Sequence, residues 1–139
     1  MHTIVVGYDE TAAAKRALER AIQIANAFSA KLVVTSVAPV MAGAGRSMGP
    51  IDPVDTPERH QVELHEAATA IQAAGVSAEL IPAVGHPTDA IVQVANDHHA
   101  DLIVVGTREP GLVERVMRSS VSRAVSRRAH RDVLIVHPA

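Results

Sequence analysis

Asp101-Leu-Ile-Val-Val-Gly-Thr107, an Arg- and Ser-rich segment, and Asp132-Val-Leu-Ile-Val-His137 follow one another in the last quarter of the chain. Each apolar run is too short for a helix of ordinary length and too continuous for a half-exposed strand, so both read as strands buried on two faces. The segment between them has helical spacing, and the whole describes a βαβ unit. Ser119, Ser120 and Ser122 fall near the start of that helix, where free N–H groups and the dipole favour an anion. Serines there also cap helices, so both readings stay open. The pattern points toward a phosphate-bearing ligand at the hinge of the unit.

Working outward, residues 3–8 form another buried-type strand, and 12–28 carry Ala14, Leu18, Ala21, Ile22, Ala25 and Phe28 at helical spacing. A strand at 31–37 follows. Residues 38–55 hold Pro39, Gly43, Gly45, Gly49, Pro50 and Pro53 with Met41 and Met48, which predicts a long flexible loop. Thr56-Pro57 supplies a cap and a first-turn proline, Leu64, Ala67, Ile71 and Ala74 a buried stripe, and Gly75 a stop, giving a helix over about 57–74. The strand at 77–84 contains Pro82, which cannot donate to a ladder and places it at a sheet edge. Pro87 opens a helix running to about His98, 101–105 suits a sheet centre, and a last helix over 118–130 precedes the strand at 133–137.

Five strands alternating with four helices predict an α/β fold: a single open parallel sheet with right-handed crossovers and helices on both faces. With 3–8 and 101–105 central, Val133, Leu134, Ile135 and Val136 form an edge that no internal charge protects. A homodimer through that strand is the simplest cover. The ligand crevice of such a sheet opens where the winding reverses, at Asp9 after the first strand and at Gly106-Thr107 after the fourth. Asp9 suits a ribose or base contact and equally a cap on the first helix, while Gly106 permits a close backbone approach.

Composition bounds the rest. The chain has 139 residues, 47% hydrophobic and 20% charged, the makeup of one ordinary domain spanning 1–139. It lacks cysteine and enters a strand directly, so a cytoplasmic protein without disulfides is expected. A net charge of −2 and 1% aromatics argue against nucleic acid, and no apolar run suits a membrane span. Of the 13 Lys and Arg residues, Arg108, Arg115, Arg118, Arg123, Arg127, Arg128 and Arg131 follow Gly106. That basic quarter reads as a solvated helix face or, alternatively, as an anion site. Among eight histidines neither His60/His65 nor His98/His99 has the spacing of a zinc site, and no Gly-x-Ser-x-Gly elbow is present. No metal and no catalytic role are expected.

The opening Ile-Val-Val-Gly-Tyr-Asp, the Gly85-His86-Pro87 turn, Ala-Asp-Leu-Ile-Val-Val-Gly-Thr, and the closing Ser-Val-Ser-Arg-Ala-Val and Asp-Val-Leu-Ile-Val together resemble the universal stress protein family over essentially the whole chain. The resemblance implies strand order 3-2-1-4-5, a dimer through the last strand, a role in stress response, and in one subgroup ATP held by Gly-x2-Gly-x9-Gly-Ser/Thr. That pattern falls on Gly106, Glu109, Ser119 and Ser120, so two of its three glycines are replaced. It further implies Asp9 as a ribose or base contact, Val37 as an adenine contact, and Ser120, Val121 and Ser122 on the phosphate side, with Thr107 and Arg108 inside the same loop. The resemblance also implies AMP or cyclic AMP, which some members bind, as alternative ligands. A slow ATPase is a third implication, for which no positioned base is visible. A member without nucleotide that acts through protein contacts is the alternative.

Overall fold

The computed structural model describes residues 1–9, 11–38, 57–107 and 121–137. Five strands run β1 (Thr3–Gly7), β2 (Lys31–Ala38), β3 (Ala78–Val84), β4 (Leu102–Gly106) and β5 (Asp132–Val136). Helices α1 (Ala12–Phe28), α2 (Pro57–Ala73), α3 (Pro87–Asp97) and α4 (Val121–Arg128) alternate with them. All strand pairs are parallel and the order is β3-β2-β1-β4-β5. The expected topology therefore holds, with shifts of a residue or two at element ends. The expected loop 38–55 lies outside the described residues except Ala38, which closes β2, and so do residues 118–120 of the last expected helix.

The two central strands carry the burial their apolar runs predict: Ile4, Val5, Val6, Ile103 and Val104 are fully enclosed. Alternation along each strand then divides the core into two layers. Ile4, Val6, Val34 and Val104 face Ala17, Leu18, Ala21, Leu64 and Ile71 of α1 and α2. Val5, Val33, Ile103 and Val105 face Ile91, Val94, Ala95 and Val125 of α3 and α4. Alanines dominate the inner face of α1 because it lies across the middle of the sheet, where a helix must come close. Gly75 ends α2 with φ +74, a left-handed conformation that glycine adopts at no steric cost. Pro82 sits in edge strand β3 opposite Ser36. No helix among the described residues is long and apolar enough to cross a membrane.

One polar pair is buried within the first layer. Glu63, on the inner side of α2, accepts a 2.9 Å hydrogen bond from the hydroxyl of Ser36 on β2. Neither residue belongs to the apolar stripe that defines α2 in the sequence.

In the described part of the basic C-terminal quarter Arg123, Arg127 and Arg128 are exposed, in line with a solvated helix face, and two of the arginines there also hold partners. Arg128 pairs with Asp89 at the start of α3. Arg131 donates to Asn96 Oδ1 in the last turn of α3 and to the carbonyl of Ala100 just beyond it. These arginines fasten α4 and the start of β5 to α3.

At the amino ends of the strands Asp101 joins the start of the chain to β4. Its carboxylate accepts the N–H groups of His2 and Thr3 at 2.7 and 3.0 Å. Those donors favour the charged form and hold the carboxyl below its ordinary value of 3.8. The native state thus prefers ionised Asp101 more than the unfolded chain does, and this stabilisation is present above pH 3.8 and lost as acid titrates the folded group. Asp101→Asn is expected to lower stability at neutral pH, with the difference from the wild-type protein shrinking as the pH falls below 3.8, as urea unfolding across pH would register. A difference that stays constant as the protein is acidified through that range would refute this role.

Candidate functional site

The winding of the sheet reverses between β1 and β4, whose carboxyl ends lie side by side through the Val6–Val104 pair. A crevice at that point is the expected ligand position in an open parallel sheet. Its near wall is the segment Tyr8-Asp9 leading into α1. The ladder to β2 continues one residue past β1, since Tyr8 N–H donates to Thr35 O at 2.9 Å. Asp9 therefore leaves the sheet at the level of Val37, and the structure brings these two expected contacts to one end of neighbouring strands. Val37 is half-buried and packs on the layer formed by α3 and α4.

Asp9 is half-buried, and its Oδ1 accepts both the N–H (2.8 Å) and the hydroxyl of Thr11. Thr11 in turn caps α1, its Oγ1 accepting the Ala14 N–H at 3.1 Å. The cap on the first helix is thus Thr11 and not Asp9. Asp9 holds the cap from two residues upstream, which fixes the direction in which its carboxylate leaves β1.

The far wall is the end of β4. Gly106 does permit a close approach, but the backbone that comes close belongs to the protein. A Cβ on Gly106 would lie 2.5 Å from both the carbonyl carbon and oxygen of Ala13 and 2.9 Å from Ala14 N. The glycine lets the first turn of α1 rest on the β4 backbone. Thr107 is half-buried and extends the ladder, its N–H donating to Val136 O at 2.9 Å. Val121 and Ser122 open α4, the first exposed and the second buried. Arg108, Glu109, Ser119 and Ser120 lie outside the described residues.

Two residues at this end of the sheet carry no signature in the sequence alone. Thr11 sits among alanines and reads as an ordinary helix start. Arg16 lies on the half-exposed side of α1 and donates through Nε to the carbonyl of His137 at 2.9 Å, across the end of β5.

The sequence profile of the universal stress protein family matches residues 1–137. The chain belongs to this family. A universal stress protein of Mycobacterium tuberculosis is 37% identical over 146 aligned residues, covering 97% of this chain and 95% of the relative. Among solved structures, a universal stress protein in complex with cAMP is 33% identical with a TM-score of 0.79, covering 99% of this chain and 98% of that one. One from Archaeoglobus fulgidus in complex with dAMP is 27% identical with a TM-score of 0.73, covering 98% of both. For this universal stress protein, the strand order agrees with what the family resemblance implies. The glycine pattern of the family's ATP-binding subgroup keeps Gly106 alone of its three glycines.

Proposed function

We propose that this chain is a cytoplasmic stress-response regulator that holds an adenine nucleotide in the crevice between β1 and β4, with a monophosphate, AMP or cyclic AMP, preferred to ATP. The observation that supports this reading is the placement of an oriented Asp9 level with Val37, and of Gly106-Thr107 at the end of the neighbouring strand, at the reversal point of the sheet where a ligand crevice is expected. The full-length relative solved with cAMP supports the ligand class. Glu109 supports the preference, because a carboxylate near the ligand repels a triphosphate more than a singly charged cyclic phosphate. Asp9 and Val37 would serve the ribose and base, and Thr107, Arg108, Ser119, Ser120, Val121 and Ser122 the phosphate side. The nucleotide acts as a signal and not as a substrate.

In the same reading two copies join through β5. It is an edge strand, and Val133, Leu134 and Ile135 are only half-buried within the single chain. Native mass spectrometry with added ATP, AMP or cyclic AMP tests both parts. A dimer carrying one monophosphate per chain is the expected result. A dimer that stays empty at millimolar nucleotide would favour the second reading, a regulator working through protein contacts, for which Glu109 and Ser119 in place of glycines are the motivating residues.

A further inference from the structure

We propose that Arg16 binds the phosphate of the crevice ligand, its guanidinium set in place by the carbonyl of His137. The inference rests on the nucleotide reading above and adds a residue from α1, outside the loop that follows β4. The Nε–H···O bond to His137 is 2.9 Å long and spans 121 positions of the chain. It uses one edge of the guanidinium, and the two Nη nitrogens have no hydrogen-bond or ion-pair partner among the described residues. A guanidinium anchored at Nε with its Nη donors available is oriented for the bidentate recognition that phosphate oxygens favour.

Its position fits that use. His137 directly follows β5, and the preceding residue, Val136, accepts the N–H of Thr107. Arg16 therefore stands at the strand end where the chain leaves β4. Gly106 keeps this part of α1 close by letting Ala13, one turn earlier, lie against the β4 backbone. Arg16 is also half-exposed, so a ligand can reach it.

A staple that merely held the end of β5 would use the same Nε bond, so the test must separate the roles. Calorimetric titration of AMP and of adenosine into the wild-type protein, Arg16→Gln and Arg16→Lys does so, with thermal unfolding recorded for each. Arg16→Gln is expected to weaken AMP binding roughly 10- to 100-fold while changing adenosine affinity less than about twofold. Arg16→Lys should recover part of the loss, since it restores the charge without the fork. Equal losses for AMP and adenosine, or AMP binding unchanged in Arg16→Gln, would overturn the inference and leave the nucleotide reading standing. A wild-type protein that binds neither ligand would overturn both.

Discussion

Gly106→Ala is expected to destabilise the protein by about 3 kcal/mol or more and to lower its thermal midpoint by roughly 10 °C or more. The added methyl would sit 2.5 Å from the carbonyl carbon and oxygen of Ala13, well inside van der Waals contact. Its neighbour is helix backbone, which cannot rotate aside as a side chain can, so α1 must shift bodily from the centre of the sheet. Packing of Ala17 and Ala21 against the central strands would loosen with it. Gly7 provides the control. A Cβ there would meet Ile91 Cδ1 at 2.8 Å, the tip of a side chain with other rotamers, and Gly7→Ala should cost about 1 kcal/mol. Differential scanning calorimetry of both variants measures the contrast, and similar midpoints would show that α1 does not rest on Gly106 as described. Because the same shift carries Thr11 and Arg16 away from β4, Gly106→Ala should also lose nucleotide under conditions where it is still folded.

The paired substitution Glu109→Gly with Ser119→Gly is expected to strengthen ATP binding about 30-fold or more. Two penalties are removed. A carboxylate 4 Å from a phosphate charge costs about 1 kcal/mol in water and about 4 at the effective dielectric of a protein surface. A non-glycine residue in left-handed backbone, the conformation that a glycine in a phosphate loop commonly supplies, costs about 1–2 kcal/mol. The lower figures alone sum to about 2 kcal/mol, which is about 30-fold in affinity. AMP, with less charge to repel, should gain less, so the preference between the two nucleotides would narrow or reverse. Competition titrations of ATP against AMP on the wild-type and paired variants read this directly. Unaltered ATP affinity would mean that neither position sets the choice of ligand.

Strands and their order were legible because β1 and β4 are uninterrupted apolar runs, which only a two-faced burial explains, and because Pro82 marks β3 as an edge. Helix starts were legible where proline supplied a mechanism, at Pro57 and Pro87. What escaped depends on partners distant in sequence. Gly106 at a strand end reads as room for a ligand until the backbone of Ala13, more than ninety positions away, is seen against it. The Ser36–Glu63 pair is hidden because glutamate on a helix reads as solvent-facing, whereas here it is buried against a hydroxyl across the layer. Arg128 and Arg131 look like surface charge, yet their acceptors lie on and just after α3, which no local pattern reveals. Arg16 likewise acquires meaning only beside the end of β5. At the crevice, Asp9, Val37 and Gly106 could be named from strand ends alone, whereas the division of labour between Asp9 and Thr11 required the hydrogen bonds.

The placement of β1 in the middle of the sheet also has a consequence for how the polypeptide is made. As the chain emerges during synthesis, β1, β2 and β3 can assemble first, with Ile4, Val5 and Val6 along an open margin. Their missing neighbour β4 begins at Leu102, 18 positions after β3 ends at Val84. At roughly 5–20 residues per second that interval is of order 1–4 s. During it the future centre of the molecule is its stickiest boundary, so nascent chains are most exposed to mispairing just before β4 arrives.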